Sequence, residues 1–560
     1  MKKYTLKILV LILFQLSPSI LFSQTFQWAV NGGGNSGDYG NSIAVDSAGN
    51  SYVTGWFQNN ATFGTFTLTS PGGYDIFIVK YDNNGQALWA VRAGGIGTDI
   101  GYGIDLDANG NIYVAGTFSG SAAFGSINVT SLNSSPDIFV ARYDTSGNVL
   151  WVQQAGSTSD DQAQAIAVDK INSKIYVTGY FKGTAAFGSL SVTSAGQSDV
   201  FIAKYDTIAA VNSTPVWVHK GGGTGYEIAY GACSDGGGSV YVTGYFAGAA
   251  MFDGMPVTSS GNDDVFVVKY NSQGIIQWAH RDGGTLLDRG IAVASSGAGI
   301  YYTGWFNGTA SFGTTNLNST GNDEIFIAKL DTSGNHQWAK MAGGLGYDQG
   351  YGICTDASGN VYVTGAYDSV ATFNTTTLVS AGSWDVFVAR YDAAGNYQWV
   401  LSGGSPASNT FERDIGYSIK PDGAQNLYAA GVIRNTATFG SSVLTSFGIQ
   451  DVFVTKISLL TSMNESAGED DLIIFPNPAR SEFKVQSSKF KVAVVEVYDV
   501  LGERVIYLTL NPRLASPSSG VTSPAGEGIR VDVSSLSEGI YFVRVTSEKE
   551  SVSKKIIVAK

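Results

Sequence analysis

One unit of about 61 residues recurs seven times between residues 24 and 460, and this period constrains the fold more than any other feature. The tryptophan of one predicted strand recurs at spacings of 61, 62, 66, 61, 60 and 61 residues. A fixed period indicates one supersecondary unit that is copied and stacked on itself. The seven tryptophans are Trp28, Trp89, Trp151, Trp217, Trp278, Trp338 and Trp399.

Two further markers give the same number of copies. A carboxylate precedes the glycine of a Y-x-[TA]-G-like strand by 16 to 18 residues, and a D-[IV]-F-[IV] strand follows that glycine. The first carboxylates are Asp38, Asp99, Asp161, Glu227, Asp288, Asp348 and Asp414. The acids that open the second strand are Asp75, Asp137, Asp199, Asp264, Glu324, Asp385 and Asp451.

Each copy reads as four short strands joined by tight turns. In residues 43–57 two apolar runs flank D-S-A-G-N, and D-N-N-G joins a D-[IV]-F strand to a tryptophan strand. Such turns fit β-hairpins. Small antiparallel sheets of this kind hide their faces by stacking radially, so the copies predict the blades of a β-propeller.

The two ends of the array indicate that the propeller is closed. The first copy opens with an extra tryptophan strand, Phe26 to Val30, and the last copy stops at Ile457 without one. An open solenoid would need caps instead. We therefore expect an all-β, closed seven-bladed β-propeller in which the N-terminal strand completes the last blade, the one that begins near Asp414.

The repeat resembles a known family. The motif I-A-V-D-x-x-G-N-x-Y-V-T-G-x-F, together with D-[IV]-F-[IV]-[AV]-[KR]-Y-D-x-x-G, is similar to the bacterial seven-bladed β-propeller repeat, or SBBP-type, family. The resemblance covers about residues 26–457. It implies a fold and supplies no catalytic residues.

The segments outside the repeats predict an exported protein. Residues 1–23 carry Lys2, Lys3 and Lys7 before a short apolar run and small residues, as a secretory signal peptide does. No second apolar run follows, so we expect no transmembrane segment in the mature chain. After the propeller at 24–460, residues 461–470 read as a polar linker, and 471–560 as a small Ig-like β-sandwich.

Charge and cysteine content limit the possible partners. The chain carries a net charge of −13, with +3 in residues 1–23 and −18 in residues 24–470. Such a surface repels nucleic acid, so we expect no nucleic-acid partner. Cys233 and Cys354 occupy one repeat position that is alanine in other copies, and we expect both to be free thiols without a metal role.

The first carboxylate series has two interpretations. Carboxylates on one rim could bind cations, and hard oxygen ligands of this type are those that calcium takes. The alternative is that each acid bonds backbone amides of its own turn, which a feature repeated in every blade favours. Both stay open from the sequence. The calcium candidates are Asp38, Asp99, Asp161, Glu227, Asp288, Asp348 and Asp414.

Ligand specificity is expected where the repeat is constant and one residue is not. Aromatic side chains at such positions could stack on sugar rings or take a cationic partner. That the rings only pack between blades is the alternative. These candidates are Trp56, Tyr74, Tyr180, Tyr245, Trp305 and Trp384. A basic residue also recurs five positions after the second acid, which indicates pairing between blades or a snorkelling side chain and not a ligand site: Lys80, Arg142, Lys204, Lys269, Lys329, Arg390 and Lys456.

Catalysis has little support in the sequence. The three histidines, His219, His280 and His336, occupy unrelated positions, and no H-E-x-x-H, G-x-S-x-G, P-loop or C-x-x-C motif occurs. We therefore assign no catalytic residue and expect a binding or interaction module. The runner-up is an extracellular carbohydrate-active or other hydrolytic enzyme that uses the rim carboxylates.

The C-terminal segment resembles the type A sorting domain of the type IX secretion system. The resemblance rests on motifs in the family's order: Phe475, Pro476, Asn477, Pro478, then Tyr498, Asp499, Gly502, then Gly539, Ile540, Tyr541. The Pro/Ser/Gly-rich segment 511–528 is longer than the family's pattern. The resemblance implies a Bacteroidetes-type route through the periplasm, with the type IX machinery as partner. It also implies a secreted or outer-membrane surface-attached propeller whose glycan or protein ligand is unknown.

Overall fold

The computed structural model describes residues 24–207, 214–297, 299–406, 413–423, 426–459, 472–477, 479–487, 494–498, 504–509, 529–546 and 551–559. Thr25–Leu459 forms one compact unit, and the chain after it belongs to a second. The predicted signal peptide and linker lie outside the described residues. Within the described ranges, no helix is long and apolar enough to span a membrane.

The first unit consists of β-strands and one 3-10 turn, Leu132–Ser134. It opens with β1 (Thr25–Gly32). The first three repeats comprise β2 (Tyr39–Val45), β3 (Ser51–Phe63), β4 (Phe66–Tyr81), β5 (Ala87–Gly95); β6 (Ile100–Leu106), β7 (Ile112–Phe118), β8 (Ser121–Phe124), β9 (Ile127–Thr130), β10 (Asp137–Tyr143), β11 (Val149–Gly156); and β12 (Gln162–Asp169), β13 (Lys174–Phe181), β14 (Thr184–Phe187), β15 (Leu190–Thr193), β16 (Asp199–Asp206), β17 (Trp217–Gly223).

The remaining four repeats follow the same plan. They comprise β18 (Glu227–Ser234), β19 (Val240–Phe252), β20 (Met255–Tyr270), β21 (Ile276–Gly284); β22 (Asp288–Ser296), β23 (Gly299–Phe312), β24 (Thr315–Leu330), β25 (His336–Gly344); β26 (Gln349–Thr355), β27 (Val361–Phe373), β28 (Thr376–Tyr391), β29 (Tyr397–Gly403); and β30 (Ile415–Pro421), β31 (Asn426–Ile433), β32 (Thr436–Phe439), β33 (Ser442–Thr445), β34 (Asp451–Ser458).

The D-x-x-G turns form as the sequence predicts. The Asp46 carboxylate accepts hydrogen bonds from the backbone N–H groups of Ala48 at 3.0 Å and Asn50 at 2.9 Å. Gly49 has φ of +80°, a conformation that a residue with a Cβ rarely adopts. Each such turn reverses the chain between two apolar strands, so that these strands pair antiparallel in one sheet.

The segment between the second and third strands forms a hairpin of its own, which adds to the four strands predicted for each repeat. In the first repeat Ala61 and Phe63 are buried on one strand of this hairpin, and they need an apolar surface to cover. That surface is the outer strand of the preceding repeat. In the first repeat, Thr62 exchanges backbone hydrogen bonds with Gly33, and the Phe63 ring occupies the space where a Cβ of Gly32 would lie, at 2.4 Å.

The opening strand pairs where the sequence placed it. β1 lies antiparallel to β34, with Phe26 opposite Ile457 and Val30 opposite Val454. The Phe26 ring meets Phe439 edge to face at 5.3 Å inside the core of the last repeat. This strand supplies the outer edge that the last repeat lacks.

The inner strands contact one another in sequence order. β2, β6, β12, β18, β22, β26 and β30 each touch the next, and β30 also touches β2. The hydrogen bond between the tryptophan strand and the neighbouring turn is the same between the last and first repeats as between the first and second. Trp28 Nε1 donates to the Asn83 carbonyl at 3.0 Å, as Trp89 Nε1 does to Thr145 at 3.3 Å.

The second unit carries two antiparallel sheets around one apolar core that includes Phe483, Val497 and Val543. One sheet has the order β35-β36-β39 and the other β38-β37-β40-β41. The strands are β35 (Leu472–Phe475), β36 (Glu482–Ser487), β37 (Val494–Tyr498), β38 (Arg504–Thr509), β39 (Ile529–Asp532), β40 (Gly539–Thr546) and β41 (Ser551–Val558).

Candidate functional site

The first carboxylate series is buried and holds backbone amides. In the second repeat, Asp99 is fully buried and accepts the Gly95 N–H at 2.7 Å and the Ser119 N–H at 3.1 Å. Asp414 repeats the arrangement with the N–H groups of Ser405 and Arg434, both at 2.7 Å. Each acid thereby ties the loop that enters its inner strand to the end of the second strand.

The two carboxylate series meet at a glycine between repeats. A Cβ on Gly94 would lie 2.2 Å from Asp75 Oδ1 and 2.8 Å from Asp99 Oδ2, so both carboxylates face the same small space. Burial raises the pKa of Asp99 to about 7, with the neighbouring Asp75 charge adding to the rise. Burial also raises the pKa of Asp38 to about 7, and the neighbouring Asp451 charge adds to that rise.

These contacts match the alternative in which each acid accepts hydrogen bonds from backbone amides. The described residues contain no group of three or more His, Cys, Asp or Glu side chains that could hold a metal ion. Calcium binding by Asp38, Asp99, Asp161, Glu227, Asp288, Asp348 and Asp414 stays a prediction.

Three of the predicted ligand-binding aromatics have their rings covered by neighbours. The Trp56 ring lies between Tyr39 at 4.4 Å and Tyr74 at 4.3 Å. Arg413 lies over the ring of Trp384 at 4.4 Å. The Trp56 ring therefore has little face left for a ligand. Tyr74 belongs to the same stack.

Tyr245 is covered in a similar way. The Arg289 guanidinium lies 4.3 Å from its ring centre, and Arg289 Nη2 pairs with Asp263 at 2.6 Å. Tyr180 is half-buried, and burial raises the pKa of its hydroxyl, with Tyr102 adding to the rise. Of the six predicted aromatics, Trp305 is the one that lines the central cavity described next.

The central cavity has a volume of about 420 Å3 and is lined by residues from all seven inner strands. Each inner strand carries a β-bulge two or three residues after its first pairing, as between Gly101 and Gly103. The bulged residue is left without a partner on the second strand, and in all seven repeats it lines the cavity. The bulged residues are Asn41, Tyr102, Gln164, Tyr230, Ile291, Tyr351 and Tyr417.

The cavity wall offers aromatic rings and hydroxyl groups. Trp305 lies 5.9 Å from Tyr351, and Tyr351 lies 5.3 Å edge to face from Tyr417. The Tyr351 hydroxyl donates to Gln349. A wall of this kind suits a ring-bearing ligand with polar substituents.

The sequence contained a signal for these residues that the sequence analysis did not use. Each bulged residue follows the first carboxylate by three positions, as Tyr102 follows Asp99 and Tyr417 follows Asp414. The flanking positions are small or β-branched throughout, whereas this one varies between aromatic, amide and aliphatic side chains.

Five of the seven recurrent basic residues bond the neighbouring repeat, which is the first of the two predicted roles. Lys269 Nζ lies 5.2 Å from the Tyr241 ring and donates to the Thr332 carbonyl of the next repeat at 3.0 Å. All seven lie over a tyrosine ring in this way: Lys80, Arg142, Lys204, Lys269, Lys329, Arg390 and Lys456.

Two histidines belong to a local polar cluster between the fourth and fifth repeats. His336 Nε2 lies 2.7 Å from Asp282, and the Tyr302 hydroxyl donates to the same carboxylate at 2.6 Å. His280 packs against His336 with ring centres 5.6 Å apart. His219 lies apart from them and pairs with Asp253 at 2.9 Å. Cys233 and Cys354 are free thiols, as expected.

The sorting motif falls partly within the described residues. Asn477 Oδ1 accepts the Ile557 N–H at 2.8 Å, and the Tyr541 hydroxyl donates to the Ser537 carbonyl at 3.0 Å. Phe475, Tyr498, Gly539 and Ile540 lie in strands, with Pro476 directly after β35. Pro478, Asp499 and Gly502 lie outside the described residues.

Comparison with known proteins agrees with both parts of the chain. Residues 473–559 match the family model described as "Secretion system C-terminal sorting domain". Residues 32–56 and 337–366 match the "Beta-propeller repeat" model.

Two curated relatives are also similar. An "Uncharacterized WD repeat-containing protein L264" of Acanthamoeba polyphaga mimivirus is 25% identical over 481 residues, covering 67% of this chain and 34% of the relative. The "Regulatory protein FlaEY" of Caulobacter vibrioides is 27% identical over 307 residues, covering 51% of this chain and 31% of the relative. The chain thus spans about a third of the length of the curated relatives it matches.

The family matches and the strand architecture lead to one conclusion about identity. The protein carries β-propeller repeats of the SBBP family followed by a type IX sorting domain, and it is exported by that route to be secreted or attached to the cell surface.

Proposed function

We propose that the seven repeats close into a seven-bladed propeller, followed by an Ig-like sandwich, and that the propeller is a binding module. Its ligand enters the central cavity. The cavity itself carries this proposal, because a constant frame presents one non-repeated side chain from each inner strand. Constant frames with variable lining residues are the usual way in which a repeat fold acquires specificity.

Closure is supported by the contacts at the seam, which we define as the junction where β1 pairs with β34 and the last repeat contacts the first. β1 completes the last sheet, and Asp38 N donates to the Gln450 carbonyl at 2.9 Å, as Asp99 N does to Tyr74 at 2.8 Å in the next junction. A ring of seven inner strands encloses a space of the observed size along its axis.

The ligand class follows from the wall. Aromatic rings with hydroxyl groups suit the alternating apolar and polar faces of a sugar or of an aromatic peptide side chain. The buried rim carboxylates give the hydrolytic alternative no support, because their oxygens accept backbone N–H groups and are shielded from solvent.

The test is a glycan and peptide array probed with the mature chain, with and without calcium. We expect binding that Trp305→Phe weakens at least tenfold. Trp89→Phe is the matched control, because Trp89 lies on an outer strand away from the cavity and its substitution should leave binding unchanged. Hydrolysis of an arrayed glycan, or equal loss in both variants, would contradict the proposal.

A further inference from the structure

One cation lines the central cavity without an ion-pair or hydrogen-bond partner among the described residues. Among the described residues that line it, Lys420 is the only charged one. It extends from β30, and the described chain offers its ammonium no ion pair and no hydrogen-bond acceptor within bonding distance. The equivalent positions in other repeats are small or neutral, apart from Asp105.

Lys420 lines the central cavity together with Tyr417 and Ser418 of the same strand. Burial raises the pKa of the Cys233 and Cys354 thiols to about 12, and the Lys420 charge works against that rise in both. Cys233 belongs to the fourth repeat, Cys354 to the sixth and Lys420 to the seventh. The Lys420 charge therefore lies close enough to the fourth and sixth repeats to affect both thiols.

The acid at the equivalent position of the second repeat, Asp105, already has hydrogen-bond partners. Asp105 Oδ2 accepts the Val168 N–H at 2.8 Å, and Oδ1 accepts the Leu106 N–H at 2.8 Å. Most lysines elsewhere in the repeats have a partner, as Lys269 has at Thr332 and Lys182 at Asp160. A half-buried cation without a partner favours an anion brought by a ligand.

The cavity wall adds hydrogen-bonding groups without adding negative charge. The hydroxyls of Tyr102, Tyr230 and Tyr417 line the same space, and none has a hydrogen-bond partner within the described chain. A ligand with a ring and several acceptor atoms would satisfy these groups while its anionic substituent reaches Lys420.

We propose that the central cavity binds a small ring that carries a carboxylate, as the terminal residue of an acidic glycan does, with Lys420 as the carboxylate partner. This inference rests on the proposed function, since it names the ligand class of the same cavity. The negative charge of the propeller surface does not prevent it, because salt screens surface charges beyond about 8 Å at physiological ionic strength.

Two sugars that differ only in the charged group test the inference. The probes are the methyl glycosides of glucuronic acid and of glucose, titrated into the mature chain and followed by ligand-observed NMR and calorimetry. We expect the glucuronide to bind at least tenfold more tightly than the glucoside. Lys420→Met should remove the preference, so that this variant binds the glucuronide no more tightly than it binds the glucoside.

The control removes the same positive charge at a lysine that does not line the cavity. Lys340→Met removes one lysine from outer strand β25, so it should keep the full preference for the glucuronide. Circular dichroism checks that each variant is folded.

The outcomes separate the inference from the proposed function. If both sugars bind equally, or if Lys420→Met and Lys340→Met behave alike, the inference is wrong and a cavity-binding module remains. If neither sugar binds while an arrayed ligand still depends on Trp305, the inference is again wrong and the proposed function stands. If no arrayed ligand depends on Trp305, the proposed function is wrong as well.

Discussion

A disulfide across the seam tests whether the repeats close into a ring. Ala29 of β1 lies opposite Thr455 of β34, and both side chains are small and buried. In a chain carrying Cys233→Ala and Cys354→Ala, we introduce Ala29→Cys and Thr455→Cys. If the two strands pair as described, oxidation should link them quantitatively in the native protein.

The expected gain follows from the length of chain that the bond encloses. The loop-entropy relation gives about 6 kcal/mol for a loop of roughly 430 residues. The entropy of unfolding is about 2.1 cal/mol/K per residue, so a unit the size of Thr25–Leu459 should gain about 7 °C in Tm.

The first repeat supplies a matched control. Val79 and Ala90 hold the same register in β4 and β5 as Thr455 and Ala29 hold at the seam. A disulfide there closes a loop of about a dozen residues, for which the relation gives about 3 kcal/mol, or about 3 °C. Comparing oxidised with reduced protein for each pair removes the cost of the substitutions themselves.

The measurement is thermal unfolding with and without reductant, after the bond has been confirmed by mass spectrometry. Closure would be refuted if the seam pair failed to oxidise while the Val79–Ala90 pair did. A seam bond that formed without a larger gain than the control would refute the loop argument.

Two further predictions concern buried carboxylates. Burial raises the pKa of Asp99 to about 7 against an ordinary value of 3.8, so the folded state holds a proton that the unfolded state releases. The stability that this proton contributes at low pH is lost as the pH rises through the folded-state pKa. Tm should therefore be higher at pH 5.5 than at pH 8.5, and Asp99→Asn should reduce the difference. Tyr302→Phe removes a hydrogen-bond donor from the buried Asp282 and should lower the free energy of unfolding, measured with denaturant, by about 1–3 kcal/mol. Tyr81→Phe is the control and should leave that free energy unchanged, because the Tyr81 hydroxyl has no hydrogen-bond partner within the described chain. Equal effects of the two substitutions would contradict this prediction.

The sequence predicted the frame because the frame is repeated. Trp28, the acid of each junction and the basic residue over each tyrosine occupy fixed positions, and the seam between β1 and β34 follows from counting strands. The four-strand pattern did not predict the hairpin that carries Phe63, since its two strands are short and the glycine that it packs on, Gly32, lies in another repeat.

The cavity was missed for the opposite reason. Its residues share a place and no side-chain type, so Tyr102, Gln164 and Ile291 give no motif. Four of the six aromatic candidates occupy the variable position after the strand glycine, where Trp56 is covered by Tyr39 and Tyr245 by Arg289. Both covering side chains come from the inner strands, β2 and β22. Such contacts between strands cannot be read from spacing.

The β-bulge explains why variation gathers on the axis. An inner-strand residue within the ladder must fit between two sheets, as Ile104 and Ile166 do, and a change there costs packing energy in both. A bulged residue has no opposite partner and faces an open space, so Tyr102 can be replaced by Gln164 or Ile291 in another repeat without disturbing the sheet. Seven such positions surround one cavity. A ligand that enters it therefore meets the residues that the fold leaves free to differ, and Lys420 lines the same space.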